Sequence, residues 1–257
     1  MEKIADKASE TALKYFGKVS PSLKADRSYV TRADLEIEKM LRAELPALVP
    51  GSEIIGEETA LTPDNSKEIL KSEWIWIVDP VDGTGNFVDS LPNFCVSIGL
   101  ARRGRPYAGL LKFPISGDVY KGVRKYGAFF NGRRISLKGF EPGYNTAFYT
   151  YSKSHKKYLI KYPGKIRNLG TTAGHLAITA RGAGFGVLAH GAVWDYMGAA
   201  AVFLEAGGLM RYLDGTAIDW NETLTRGGNL KMPVVGSLPG KWKETAEMIV
   251  PYQFNAE

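Results

Sequence analysis

The chain has 257 residues, long enough for one large domain or two closely packed halves, and its 44% hydrophobic content supports a sizeable core. A single cysteine excludes an intrachain disulfide. No apolar run reaches the ~20 residues that span a bilayer, and the charged start Met1-Glu2-Lys3 lacks a signal-peptide core, so the expectation is a cytoplasmic protein with no membrane partner. The net charge of +6 suits anionic ligands. Its basic clusters, Arg102-Arg103-Gly104-Arg105 and Lys153 to Lys157, lack the interleaved aromatics of a nucleic-acid platform and read as solvated turns.

In chain order, Ile4, Ala8, Ala12 and Tyr15 mark one face of a first helix that Gly17 ends. Thr31 with Asp34 predicts the capping box of a second helix, whose stripe is Ala33, Ile37, Leu41 and Leu45. Ser52 to Gly56 reads as a strand ending in Glu57-Glu58, and Trp74 to Val78 as a strand delivering Asp79. The runs 94–102 and 107–113 flank Gly104 and predict a hairpin. Val119 to Val123 and the segment around Phe129, with its Asn131-Gly132 turn, extend that sheet. Beyond about residue 140 strands and helices alternate. Strands are expected at 145–151, 166–169, 185–189, 209–213 and 234–236, with helices at 171–180, 196–206 and 243–250. The expected division is an N-terminal α+β half over 1–140 and a C-terminal α/β half over 141–257, with helices layered on mixed sheets.

The most informative stretch is Trp76 to Phe87, where an apolar strand breaks into Asp79-Pro80-Val81-Asp82-Gly83-Thr84. Two carboxylates at a buried strand end repel each other unless one is protonated or a cation lies between them. A divalent metal meets that need, and the adjacent glycine exposes backbone N–H groups suited to a phosphate oxygen. An ordinary Asp-Pro turn with an Asx cap is the bland alternative. Glu57 also ends a strand, and ligands collect at carboxyl ends of strands in layered α/β folds. Asp195 directly precedes an apolar helix, where an N-cap and a metal ligand are compatible roles. Leu169-Gly170-Thr171-Thr172 turns into a helix start that presents N–H groups to an anion. Gly182 to Gly186 precedes a strand, so it is no dinucleotide fingerprint. His155, His175 and His190 lack zinc spacing, and no Ser or Cys nucleophile motif is present.

Together these segments resemble the inositol monophosphatase family of magnesium-dependent, lithium-sensitive phosphatases. The resemblance rests on Asp79 to Phe87, on Gly56-Glu57-Glu58, on Trp194-Asp195 followed by Glu205-Ala206-Gly207-Gly208, and on Lys24, Asp26, Ser28, Thr31 and Asp34. It implies a layered αβαβα sandwich, generally a homodimer, using two to three Mg²⁺ ions. By position, Glu57, Asp79 and the Val81 carbonyl match ligands of a first metal, while Asp79, Asp82 and Asp195 match those of a second. A third, weaker metal would lean on Glu57. Thr84 with Glu57 matches the pair that positions the attacking water, and Asp34 a supporting acid. Gly83-Thr84 and Gly170-Thr171-Thr172 match phosphate and substrate contacts, to which Asp82 and Asp195 contribute. Two cations about 3.5–4 Å apart suit an in-line displacement, because they hold both attacking and leaving oxygens.

The resemblance therefore implies a phosphomonoesterase acting on a small phosphorylated metabolite. Inositol-selective members carry a sugar-gripping glutamate shortly before the Trp-Asp pair. Here that position is Leu188 or Ala189, neither of which can bond a hydroxyl through its side chain. Fructose 1,6-bisphosphate, histidinol phosphate and 3′-phosphonucleotides stay open as substrates. A regulatory protein that binds RNA or a transcription complex on the same scaffold is the alternative of another class.

Overall fold

A computed structural model describes residues 1–59, 61–137, 139 and 141–252; the expected half-boundary at residue 140 and the end of the chain from 253 lie outside the described residues. Its organising element is the apolar run that ends in the acids. Along that strand Ile75 and Ile77 enter one core while Trp76 and Val78 enter another, so both faces are covered and the run is apolar without alternation.

The first core lies under α1 (Glu2–Tyr15) and α2 (Arg32–Glu44), which are linked through a short hairpin of β1 (Ser22–Leu23) and β2 (Tyr29–Val30). A seven-stranded sheet follows. It is built from β3 (Glu53–Gly56), β4 (Trp74–Asp82), β5 (Cys95–Arg102), β6 (Arg105–Lys112), β7 (Val119–Val123), β8 (Gly127–Phe130) and β9 (Arg133–Ile135), in that spatial order. Two short helices interrupt the early strands, α3 (Pro63–Ile69) and α4 (Thr84–Val88). Within this sheet, among the described residues, only β3 and β4 pair in parallel, which sends Glu57 and Asp79 out at the same end.

The second half supplies β10 (Ala147–Thr150), β11 (Tyr158–Ile160), β12 (Lys165–Arg167), α5 (Thr172–Ile178), β13 (Gly186–Ala189), α6 (Val193–Glu205), β14 (Leu209–Tyr212), α7 (Trp220–Thr225), β15 (Val234–Ser237), α8 (Trp242–Glu247) and β16 (Ile249–Pro251). A five-stranded mixed sheet runs β12-β10-β13-β15-β14, and β11 pairs with β16 apart from it. Helices α5 and α6 fill the space between the two sheets, while α8 covers the far face of the smaller one. The layers are thus α1/α2, large sheet, α5/α6, small sheet, α8: the αβαβα sandwich expected.

Three glycines let α6 lie almost on the large sheet. Gly99, Gly109 and Gly122 are cross-strand neighbours on β5, β6 and β7. A Cβ on Gly99 would sit 2.6 Å from the Gly198 nitrogen, one on Gly122 would sit 2.6 Å from Val202 Cα, and one on Gly109 would strike the Gly198 carbonyl. The trough fixes the height of α6, and with it the position of Asp195 near its start.

The predicted hairpin over 94–102 and 107–113 is β5 and β6. Helix α6 starts at Val193, three residues earlier than its apolar pattern suggests, because the Asp195 carboxylate caps the Ala192 N–H from the third helical position. The expected closing helix stops at Glu247, and Ile249–Pro251 instead pairs with β11. Among the described residues, no helix is long and apolar enough to cross a membrane.

A candidate metal centre at the strand ends

The acid pair faces one way because of a bulge. Asp79 is opposite Ser97 and Asp82 opposite Cys95, so three steps on β4 are matched by two on β5. In a regular strand Asp79 and Asp82 would point to opposite faces; the extra residue brings them to the same one. Pro80 sits in the irregular stretch, where its missing N–H costs no ladder bond. Asp79 then accepts the Val81 N–H at 2.9 Å, which holds its carboxylate in place.

Oxygens of Glu57, Asp79 and Asp195 all lie within 4.8 Å of one another. Asp82 is not part of that trio. Its carboxylate is held by the start of α5: the Thr171 hydroxyl donates to it, as do the backbone N–H groups of Ala173 at 2.8 Å and Thr172 at 3.2 Å. The helix start expected to meet an external anion therefore holds an internal one, and the Gly170 N–H is likewise taken by Asn168 at 2.9 Å. Thr171 doubles as the cap, accepting from the Gly174 N–H. The Cys95 thiol abuts Asp82, and burial beside the acids raises its pKa well above normal, so it is no nucleophile.

Burial and mutual repulsion set the charge state. Desolvation holds Asp79 well above the usual carboxylate range, and Glu57, Asp82 and Asp195 push the same way. Asp195 is raised by burial, then by Asp82 and Glu57, against its bonds to the Ala192 N–H and to Asp79. Asp82 rises to about 6 by burial, despite its three donors. Asp34 rises to about 6 for the same leading reason; one oxygen accepts the Thr31 N–H and hydroxyl, and the other is buried with no partner.

Thr84 opens α4, one residue after Gly83 at φ 97°, and its hydroxyl donates to the Val81 carbonyl at 3.1 Å. Asn86, on the same short helix, donates to the carbonyls of Asn93 and Leu169 and so ties α4 to the approach to α5. A Cβ on Gly170 would collide with Asn86, so this junction admits nothing larger than glycine.

Sequence reading gave no role to four supporting residues. Lys24, delivered by the β1–β2 hairpin, bonds Glu57 at 2.6 Å and Glu58 at 2.7 Å. Burial opposes its charge, but the two glutamates outweigh that and raise its pKa. Glu38 accepts the Glu58 N–H and the Thr59 hydroxyl while paired with Arg42, which anchors the segment carrying Glu57. His175 is kept neutral by burial, at about 4, and accepts the Leu169 N–H through Nε2. Asn86 was quoted only as part of a motif. Lys24, Glu38 and Asn86 act across distances in sequence that no local pattern encodes, while His175 bonds Leu169 six residues away. The positions weighed against a sugar-gripping acid, Leu188 and Ala189, are both fully buried in apolar cores. His190 beyond them is half-buried.

The donor set fits a hard divalent cation. It consists of carboxylate oxygens with a carbonyl beside them, free of sulfur and imidazole ligands. Like charges this close in a buried site need positive charge or protons, and the unpartnered Asp34 oxygen marks acceptor capacity left over.

These features define a class, the metal-dependent phosphatases of layered αβαβα fold. The family model "Inositol monophosphatase family" matches residues 1–253, and the chain belongs to that family of phosphomonoester hydrolases acting on small phosphorylated metabolites. It is 30% identical over 220 residues to a histidinol-phosphatase of Chlorobaculum parvum, covering 80% of this chain and 81% of that protein. It is 32% identical over 230 residues to an inositol-1-monophosphatase of Mesorhizobium japonicum, covering 84% and 85%. Among solved structures, the Thermotoga maritima IMPase superposes with a TM-score of 0.81 at 25% identity, covering 96% of this chain and 93% of that one. The extragenic suppressor protein suhB of Bartonella henselae superposes at 0.80 with 27% identity, covering 96% of both chains.

Proposed function

We propose that this chain hydrolyses a small phosphomonoester with two to three Mg²⁺ ions held by Glu57, Asp79, Asp82, Asp195 and the Val81 carbonyl. The convergence of three carboxylates within 4.8 Å carries the reading. Magnesium bound there supplies the positive charge that acidifies water and offsets the charge developing on the phosphoryl and leaving oxygens.

The protein's part is placement. Asp79, held by the Val81 N–H and grouped with Glu57 and Asp195, would serve as the shared ligand. Asp82 is oriented by three donors at the α5 start, so little reorganisation accompanies binding. The Thr84 hydroxyl and Glu57 orient the attacking water, and Asp34 accepts a bond from the surrounding shell through its free oxygen. The first turn of α4, from Gly83 and Thr84, receives phosphate oxygens. Gly170, Thr171 and Thr172, with Asp82 and Asp195, contact the substrate through groups other than the Gly170 and Thr172 N–H and the Thr171 hydroxyl, which Asn168 and Asp82 already hold. No covalent intermediate is required, since the thiol beside the acids, Cys95, is kept protonated by burial.

The same proposal includes a cytoplasmic homodimer and a division into halves at 1–140 and 141–257. The division is supported by the large sheet arising from 53–135 and the small one from 147–237. Phosphate release over a panel of monophosphates and bisphosphates tests the function. Release should need Mg²⁺, stop with chelator and fall with lithium; release undiminished by chelator contradicts the reading.

A further inference from the structure

Ser97 lies on β5, fully buried, and its hydroxyl has no hydrogen-bond partner. A hydroxyl taken out of water without a partner carries a desolvation cost that a methyl group would not. Buried polar groups are seldom left so unless something absent completes them.

Three placements bring this hydroxyl to the acids. Ser97 is directly cross-strand from Asp79, at the last regular pair before the bulge. Side chains so paired share a face of the sheet, with Cβ atoms about 4.5–5.5 Å apart. That face is the one under α6: two steps away on β5 are Cys95, whose thiol lies 3.8 Å from Asp82, and Gly99, where a Cβ would sit 2.6 Å from the Gly198 nitrogen. Ser97 Oγ itself points at α6, since a Cβ on Gly198 would come within 2.8 Å of it. Gly198 follows Asp195 by three residues, on the same helical face. Asp195 in turn bonds Asp79. The hydroxyl therefore occupies the corner between Asp79 on the strand and the face of α6 that carries Asp195.

The two sides of that corner have complementary needs. Asp79 accepts from one backbone N–H, that of Val81, whereas Asp82 has three donors at the α5 start. An ionised carboxylate offers about four acceptor positions. Asp79 is thus an acid short of donors, and Ser97 a donor short of an acceptor.

Resting on the metal-dependent reading, we propose that Ser97 is a positioning residue, whose hydroxyl donates to the Asp79 carboxylate when a divalent cation holds the acids together. It touches neither substrate nor cation and acts by fixing the orientation of a ligand.

Ser97→Ala tests this through Mn²⁺ binding, followed by electron paramagnetic resonance, and through melting in chelator. Affinity for at least one ion should fall about tenfold. The Mg²⁺ concentration that gives half-maximal phosphate release should rise by a similar factor, with turnover at saturating Mg²⁺ within about twofold of wild type. In chelator the variant should melt at or above the wild-type temperature, because the metal-free protein loses no bond. Ser52 is the control: its hydroxyl is also buried without a partner, but it precedes β3 while Glu57 follows that strand. Ser52→Ala should leave Mn²⁺ affinity unchanged. Equal Mn²⁺ affinity in wild type and Ser97→Ala overturns the proposal, as does equal weakening in Ser52→Ala. A melting temperature lowered in chelator also overturns it, by giving the hydroxyl a structural role in the metal-free fold. Each of these results leaves the metal centre intact. No Mn²⁺ bound by either wild type or Ser97→Ala instead overturns the metal reading on which the proposal rests.

Discussion

The acid centre and the neighbouring ends of β10 and β13 are built on opposite terms. At the centre, Asp82 has three donors, Asp79 and Asp195 each hold a backbone N–H, and Thr171 bonds both ways. At the ends of β10 and β13, Thr150, Tyr151 and His190 keep buried polar atoms with no partner. The carboxylates of the centre are oriented in advance by the fold; the polar atoms at the ends of β10 and β13 are not. The centre is also where the fold carries its electrostatic cost, because four raised carboxyl pKa values crowd one strand end.

Asp79→Asn offers the largest effect that sharpens this contrast. The shape is kept and one charge removed, so turnover should fall by about 10³-fold. Metal-free thermal stability should hold or rise, since a repelled buried carboxylate is gone. A melting temperature well below wild type would place Asp79 in the structural framework instead. Gly109→Ala comes next: its methyl meets the Gly198 carbonyl, so denaturant unfolding should show a loss of about 3 kcal/mol. An unchanged midpoint would mean that α6 is not seated in the trough. Thr171→Val removes a donor to Asp82 and the α5 cap together, and should lower turnover by about 10–100-fold with about 1 kcal/mol of stability.

The smallest effect concerns pH. Asp34 and Asp82 titrate near 6 and Glu58 near 7 in the fold, against about 4 in an unfolded chain. Folding raises these values, so the folded state is favoured while the groups are protonated. That advantage is full below about pH 4 and lost as pH climbs through 6 to 7. Melts in chelator should show lower stability at pH 8 than at pH 5, and Mg²⁺ should add more at pH 8. Chelated protein that is more stable at pH 8 contradicts the assignment.

Much of this was legible in the sequence because it is local. The capping box of Thr31 and Asp34, the β5–β6 hairpin and the strand that delivers Asp79 depend on residues a few positions apart. The partners of the site were not, because they are remote: Asn86 meets a carbonyl 83 residues away, and Thr171 reaches Asp82 across 89. The true start of α6 was hidden for a related reason. A helix buried along most of its length has little polar face to mark its beginning, so its apolar pattern looks regular only after Asp195. The bulge between Asp79 and Asp82 was visible only as a proline between two acids, and its effect on side-chain direction depends on pairing with β5.

Equilibrium binding of Mn²⁺, a spectroscopic stand-in for Mg²⁺, followed by electron paramagnetic resonance in wild type and in Asp79→Asn, tests the central claim most directly. The account predicts at least two ions bound per chain in wild type and the loss of one or more in the variant. Equal binding by both proteins, or none by either, would contradict it.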